Sequence, residues 1–226
     1  DEAWAGAPGL GNVVSRLGWV EDLAGIHAYG YDSQGRRVTT IRRIDGKDYG
    51  SKQEFDAVDR LAATVYPDGA RLTYEYNERS LIKKAGGLIT SQTFGAAAEL
   101  LERRFGNGVA TARTYDERIR LKTIVSSGPQ GDRLQDFGYQ YDRAGNVTRI
   151  DDLRPGLTPE RDQQVTATYD AMDRLVRAQG NGYDLQWTHS PSGNILSVVG
   201  SITPAVKEFV FGRFVYGEGA GPHALT

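Results

Sequence analysis

The stretch Tyr141-Asp142-Arg143-Ala144-Gly145-Asn146-Val147 recurs in variant form along most of the 226-residue chain. We take the first residue of each copy, an aromatic residue or in one case a histidine, as its origin. The origins lie at residues 31, 55, 76, 94, 115, 141, 169 and 189, so successive copies are 18 to 28 residues apart. Self-similarity at this period is typical of repeat architectures. The stretch is therefore interpreted as a structural unit and not as an active site.

The aspartate and glycine of the unit predict a turn. An aspartate side chain accepts hydrogen bonds from backbone N–H groups two or three residues further on, and glycine adopts the positive φ that closes such a turn. We assign this role of structural turn-former to Asp32, Gly35, Asp56, Asp116, Asp142, Gly145, Asp170 and Gly193.

The segments between the turns read as strands. In Arg71–Tyr76, for example, apolar or aromatic residues alternate with polar ones, which indicates a strand with one apolar face. A second kind of turn signal, expected to supply two positive-φ residues for a tight hairpin, is found at Asp45-Gly46, Asp68-Gly69, Gly86-Gly87, Asn107-Gly108 and Asn181-Gly182. Together these signals predict an antiparallel meander of roughly 14 to 18 strands, each of about five to eight residues. The helix-like run at residues 96–104 is expected to be a strand as well.

The repeated pattern resembles the YD repeat of the Rhs family. The resemblance rests on Tyr-Asp-x-x-Gly-Arg/Asn followed by an apolar residue, and on the return Tyr-x-Tyr-Asp at Tyr29–Asp32 and Tyr139–Asp142. That family includes bacterial polymorphic toxins, the shell-forming components of insecticidal Tc toxin complexes and, more distantly, teneurins. The resemblance covers about residues 12 to 226. It implies an all-β fold in which an antiparallel meander of YD-repeat β-hairpins forms a spiral or curved β-shell segment around a cargo polypeptide.

The predicted organisation has three parts. Residues 1–30 are a lead-in with a partial repeat, residues 31–199 are the YD-repeat β-sheet, and residues 200–226 are terminal strands and a Gly-rich loop that we expect to continue in the natural protein. The insertion at residues 151–160, which contains two prolines, is predicted to be an exposed, protease-sensitive loop.

Composition narrows the possible partners. The chain has 27 Lys and Arg against 29 Asp and Glu, and basic residues are interleaved with acidic ones, which argues against a nucleic-acid partner. No apolar run approaches the roughly 18 residues of a membrane span. The absence of cysteine excludes disulfides and fits an exported bacterial β protein, so we expect a secreted or cell-surface location.

No catalytic, cofactor-binding or metal-binding residue is predicted, and the chain is not expected to be an enzyme. His189 occupies a repeat position and His223 lies in a Gly-Pro-His loop, so both are expected to be structural. The pairs Asp56/Asp59 and Asp170/Asp173 offer too few oxygen ligands for calcium. Members of the Rhs family carry an autoproteolytic aspartyl core with Asp-Pro-x-Gly motifs, but this sequence has no Asp-Pro dipeptide, so that activity is not carried over.

The resemblance implies a non-catalytic segment of an Rhs-type shell that encapsulates and helps to deliver a C-terminal toxin cargo. Its partners would be the remainder of its own shell and the encapsulated toxin polypeptide. The alternative is an extracellular carbohydrate-binding or adhesion module, in which Trp19 and Trp187 stack on glycans. An enzyme, with Asp or His side chains converging in a cleft, is the third and weakest hypothesis.

Overall fold

A computed structural model describes residues 10–158, 161–202 and 207–213, the last segment and residue 202 by their backbone alone. The chain divides into two compact units, Asp1–Gly108 and Val109–Thr226. The described residues of the first unit form nine strands: β1 Trp19–Asp22, β2 Gly25–Tyr31, β3 Arg37–Ile44, β4 Lys47–Phe55, β5 Leu61–Val65, β6 Arg71–Tyr76, β7 Ile82–Ala85, β8 Ile89–Phe94 and β9 Leu100–Phe105. Those of the second unit form nine more: β10 Ala110–Tyr115, β11 Leu121–Ser127, β12 Arg133–Tyr141, β13 Val147–Asp152, β14 Val165–Tyr169, β15 Leu175–Gly180, β16 Tyr183–His189, β17 Ile195–Ile202 and β18 Lys207–Arg213.

Each unit is an antiparallel meander. In the first unit every strand from β1 to β8 pairs with the strand that follows it. The same consecutive pairing runs from β10 to β18 in the second. The all-β meander is therefore confirmed, with a strand number at the upper end of the predicted range. The helix-like run at residues 96–104 forms a turn followed by β9, as expected. Among the described residues no helix is long and apolar enough to cross a membrane.

The sheets have little buried interior. Strand β6 alternates exposed and half-buried residues along its whole length, as the sequence predicted. In the part of the chain that the structure describes, the buried apolar side chains are Ala28, Ile41, Ala63, Ala85 and Val198, and no large side chain is fully buried. A packed core of large side chains therefore does not stabilise these sheets, and contacts between neighbouring strands and turns must carry more of the stability.

Every copy of the unit has a positive φ at the same position of its turn. The residue three positions after the aspartate, or after its replacement, has a positive φ in all eight copies: Gly35, Asp59, Ser80, Ala98, Ile119, Gly145, Asp173 and Gly193. The glycines reach φ values of 84° to 104°, whereas the other residues stay between 58° and 67°. The predicted turn role of Gly35, Gly145 and Gly193 fits this conformation, which glycine adopts at low cost.

The hairpin dipeptides differ from the prediction in detail. Both residues have positive φ at Asp45-Gly46, but at the other four dipeptides only one of the two residues does. At Asp68-Gly69 the chain turns by a hydrogen bond from the Gly69 N–H to the Tyr66 carbonyl, and Gly69 alone has a positive φ. The physical reason at Asp68-Gly69 is a loop longer than two residues, in which a single left-handed residue follows a type I turn.

The insertion after β13 is closed at its base by an ion pair. The Asp152 carboxylate, whose side chain is fully buried, accepts hydrogen bonds from the Arg154 guanidinium at 2.6 Å and from the Gln163 N–H at 3.1 Å. The pKa of Asp152 is lowered by the Arg154 side chain, against the effect of burial. Residues 159–160 and the end of the predicted third part lie outside the described residues, so protease sensitivity and the three-part organisation stay predictions.

We expect the substitution Gly145→Val to destabilise the fold by about 1 kcal/mol or more, because a β-branched residue would have to adopt a positive φ. A Cβ atom at position 145 meets nothing within 4 Å, so backbone strain and not a clash would be the cause. Thermal melting measures the effect. Gly50→Val is the matched control, since Gly50 lies inside β4 with equally open surroundings and without a positive φ. An unchanged melting temperature for Gly145→Val would contradict the turn assignment.

Candidate functional site

The repeated turns form the most regular arrangement of polar side chains in the structure. At Asp116 one carboxylate oxygen, Oδ1, accepts the N–H groups of Arg118 and Arg120, each at 2.9 Å. The other oxygen, Oδ2, accepts Nε of Arg120 at 2.7 Å. The aspartate thus closes the turn and holds the arginine four residues on. The same set of bonds is made by Asp32 with Arg36, by Asp56 with Arg60 and by Asp170 with Arg174.

The copy that begins at Tyr141 uses an amide in place of the guanidinium. Oδ1 of Asp142 accepts the N–H groups of Gly145 at 2.8 Å and Asn146 at 2.9 Å. Oδ2 accepts Nδ2 of Asn146 at 3.0 Å. This amide also donates to Oδ1 of Asp173 at 2.8 Å, which links the turn to the next copy.

Hydrogen bonds lower the pKa of all five turn aspartates. The pKa of Asp170 falls to about 2, chiefly because the Arg174 side chain bonds its ionised form. Backbone and side-chain bonds from Arg120 lower the pKa of Asp116, and Asn146 does the same for Asp142. For Asp32 burial opposes ionisation, but the bonds from Arg36 outweigh it and its pKa is lowered too. The pKa of Asp56 is lowered by bonds from Arg60.

In several copies a tyrosine hydroxyl connects the turn to the one before it. The Tyr141 hydroxyl donates to the Leu121 carbonyl at 2.7 Å, and the Tyr76 hydroxyl donates to the Leu61 carbonyl at 2.8 Å. In each case the acceptor is the residue directly after the arginine of the preceding turn. The Tyr169 hydroxyl bonds the Val147 carbonyl at 2.9 Å in the same way. Burial raises the pKa of Tyr76, Tyr141 and Tyr169, which keeps these hydroxyls protonated as donors.

The arginines of the turns contact the copy that follows them in the chain. Their guanidinium carbons lie over the aromatic ring of the next copy, at 4.7 Å for Arg36 over Phe55, 4.6 Å for Arg60 over Tyr76 and 4.5 Å for Arg120 over Tyr141. Nη1 of Arg120 also donates to the Asp142 carbonyl at 3.2 Å. Nη1 of Arg174 donates to the Ser190 carbonyl at 2.8 Å. Nη1 of Arg36 bonds Asp59.

We call these contacts the YD ladder. Within each unit it joins successive turns along one edge of the sheet, and each joint between two turns is a rung. The turns are Asp32–Arg36, Asp56–Arg60, Asn77–Leu81 and Gly95–Glu99 in the first unit, and Asp116–Arg120, Asp142–Asn146, Asp170–Arg174 and Ser190–Asn194 in the second. A cation–π contact at an exposed site stabilises by about 0.5–1 kcal/mol, and a neutral hydrogen bond by about as much. Each rung therefore contributes little stability, and the contributions of successive rungs add up.

The structure contains a further turn in the segment where the sequence predicted a partial repeat without a turn. Ser15 has a φ of 60° in the segment Asn12–Arg16, three residues after Asn12. The Tyr31 hydroxyl donates to the Leu17 carbonyl at 3.0 Å, and the Arg16 guanidinium lies 5.6 Å from the Tyr31 ring centre. These are the contacts of a rung. The spacing of Arg16 and Leu17 before Tyr31 was the available signal, but this copy lacks both the aromatic residue and the aspartate.

One rung replaces the missing hydroxyl with an amide. Phe94 stands where a tyrosine would donate to the Ile82 carbonyl. There the Nε2 atom of the buried Gln92, two residues earlier on β8, donates to Ile82 at 2.7 Å. Arg103 from β9 holds the other end of this amide, since its Nε donates to Oε1 of Gln92 at 2.7 Å. The repeat pattern in the sequence does not predict this role of Gln92.

The remaining candidate residues do not form a second site. Trp19 on β1 lies opposite Ala28, and Trp187 on β16 lies opposite Val198; both rings are half-buried and they belong to different units. No cluster of His, Asp and Glu able to hold a metal ion occurs among the residues that the structure describes. His223 lies outside them. The stacking role of Trp19 and Trp187 stays a prediction.

Acid should weaken the YD ladder in a defined range. Because the pKa of Asp170 is about 2 in the folded chain and about 3.9 in unfolded peptides, the stability from its ionised form is present above pH 4 and lost as the pH falls towards 2. The substitution Asp170→Asn should therefore flatten the fall in melting temperature between pH 4 and pH 2. Asp45→Asn, in an exposed hairpin turn, is the control and should leave the slope unchanged. Equal slopes for the two variants would contradict the assignment.

The rung at Gln92 can be tested by a double-mutant cycle. Gln92→Ala should destabilise the fold by about 1–3 kcal/mol, since it leaves the Ile82 carbonyl without this donor. Adding Phe94→Tyr should recover part of the loss, because a hydroxyl at this position reaches the equivalent carbonyl in other copies. In the parent chain Phe94→Tyr should have a smaller effect. Denaturant unfolding of the four proteins measures the coupling, and equal effects of Phe94→Tyr in both backgrounds would show that Gln92 is not the substitute donor.

Two toxin subunits of Yersinia entomophaga are similar to this chain in sequence. The toxin subunit YenC2 of Yersinia entomophaga is 31% identical over 159 residues, which is 66% of this chain but 15% of the relative. The toxin subunit YenC1 of the same organism is 34% identical over 127 residues, 49% of this chain and 13% of the relative. This chain thus spans about one seventh of these relatives. No family model matches it.

Solved structures show the same fold. A TcdB2-TccC3 crystal structure without the hypervariable C-terminal region matches 93% of this chain with a TM-score of 0.75 and 20% identity, and covers 13% of that chain. The Photorhabdus luminescens Tc holotoxin pore structure matches 90% with a TM-score of 0.72 and 20% identity, and covers 12%. The YD turns, their ladder and the similarity to toxin subunits together confirm the resemblance of this chain to the Rhs/YD-repeat family that was seen in the sequence.

Proposed function

We propose that the chain is a wall segment of an Rhs-type shell that encloses a toxin polypeptide and helps to deliver it. The observation that carries the proposal is the YD ladder: it connects turn to turn and stabilises an extended sheet that has almost no buried interior. A wall needs this property, because its faces must remain available to the enclosed volume and to the outside. The relationship to toxin subunits supports the same reading.

The segment acts without catalysis in this proposal. Each turn aspartate has its carboxylate oxygens occupied by two N–H groups and a side-chain donor, and its lowered pKa makes it a weak base near neutral pH. Its partners are the remainder of its own shell and the enclosed toxin. The setting is a secreted or cell-surface bacterial toxin complex.

Protease protection tests the proposal in the longer gene product that carries this segment. The cargo region should resist added protease in the parent protein. A pair of substitutions in the ladder, Arg120→Ala with Arg174→Ala, removes the bonds to the Asp142 and Ser190 carbonyls and should make the cargo cleavable several-fold faster. Glu117→Ala, on the exposed part of a turn, is the matched control. Cargo that is equally accessible in all three proteins would overturn the proposal.

The carbohydrate-binding alternative makes a separate prediction about Trp19 and Trp187. Binding on a glycan array that is lost in Trp19→Ala or Trp187→Ala would favour an adhesion module. A shell wall should give no saccharide signal that depends on those rings. Among the residues that the structure describes, no contact favours the alternative over the wall.

A further inference from the structure

His189 lies at the ladder position that carries a tyrosine in several other copies. It is the last residue of β16, and its ring is half-buried. Its Nδ1 atom is buried and, within the residues that the structure describes, has no hydrogen-bond partner. An unsatisfied buried polar atom costs stability, so this position calls for an explanation.

The rung at His189 lacks the hydroxyl bond found elsewhere. Tyr31, Tyr76, Tyr141 and Tyr169 each donate a hydroxyl to the carbonyl after the preceding turn. Phe55 and Phe94 also lack a hydroxyl, but a phenyl ring has no charge state. An imidazole does, and it is the side chain whose charge changes most readily between about pH 5 and pH 8. Position 189 is therefore chemically distinct among the ladder positions.

The surroundings of His189 offer little compensation for a positive charge. The charged residues on the turn and strands that flank it are Asp170, Asp173, Arg174, Arg177 and Asp184. Asp170 is paired with Arg174 at 2.6 Å and Asp184 with Arg177 at 2.5 Å, while Asp173 accepts the Asn146 amide. Strand β17, which places Ile195 opposite His189, contains no charged residue. The acids near His189 are thus already engaged.

We propose that His189 is a pH-sensitive gap in the YD ladder, at which protonation opens the hairpin of β16 and β17 locally. In the protonated ring both nitrogens are donors, so the buried Nδ1–H would carry charge without an acceptor. Water solvates the same charge in the opened hairpin. Because the closed hairpin offers the buried Nδ1–H no acceptor, protonation favours the opened hairpin over the closed one. The Arg174 bond to Ser190 at 2.8 Å would break with it.

This property goes beyond the proposed wall function and does not depend on it. It concerns one rung of the purified chain, whatever the shell contains. It would give a wall built from these repeats a point that loosens in mildly acidic surroundings, well above the range in which the turn aspartates titrate.

Hydrogen exchange followed by mass spectrometry tests the proposal on the 226-residue chain. After correction for intrinsic rates, peptides from β16 and β17 should exchange on the order of tenfold faster at pH 5.5 than at pH 7.5, while peptides from β10 and β11 should not change. His189→Phe should abolish this pH dependence without supplying a donor. His189→Tyr should abolish it and also slow exchange at both pH values, because its hydroxyl adds the missing rung bond.

His27→Gln is the matched control, since it removes a histidine from β2 in the other unit. It should leave the pH dependence of β16 and β17 intact. Two results would overturn the proposal: exchange in β16 and β17 of the parent chain that does not depend on pH, or a pH dependence that persists in His189→Phe. If His189→Phe unfolds, His189→Tyr supplies the same comparison, and a pH dependence that it retains also overturns the proposal.

Discussion

The hydrogen bond from a tyrosine hydroxyl to the carbonyl after the preceding turn is the interaction on which the rest of the structure depends. It links residues 14 to 22 positions apart, from Tyr31 with Leu17 to Tyr169 with Val147. A strand pairs with its neighbour through the backbone in any sheet, but this bond fixes the register of one hairpin against the next. Where so few side chains are buried, that fixed register holds the sheet in a single arrangement.

The aspartate of the repeat illustrates how a carboxylate can look catalytic and be structural. Its carboxylate oxygens accept hydrogen bonds from N–H groups of the turn and from the side chain of the arginine or asparagine four residues later. The arginine, held in this way, is presented to the ring of the next copy. One short motif thus performs two tasks, closing its own turn and attaching the next, and stability becomes a sum over neighbouring repeats.

Features of this fold that depend on residues close in sequence were predictable, whereas contacts between neighbouring hairpins were less so. The period, the turns at Asp142 and Gly145 and the alternation in β6 follow from residues close in sequence. The role of Gln92 does not, because its acceptor Ile82 depends on how two hairpins meet. The positive φ of Ile119 was not predicted either, because a φ of 61° is unfavourable for a β-branched residue. The hydrogen bonds of Asp116 impose the turn and so make this conformation tolerable. Tertiary geometry overrides local preference at such positions.

The rungs differ in the bonds they make, and these differences affect where such a sheet opens. Loss of the hydroxyl at Phe94 is offset by the amide of Gln92, and at Phe55 the Arg36 guanidinium still stacks on the ring and reaches Asp59. At His189 the corresponding polar atom is left buried and unsatisfied among the described residues. In an array with nearest-neighbour coupling, opening begins where the coupling is weakest and can stop at the next strong joint. The positions where the repeat departs from its own pattern therefore decide where the sheet opens.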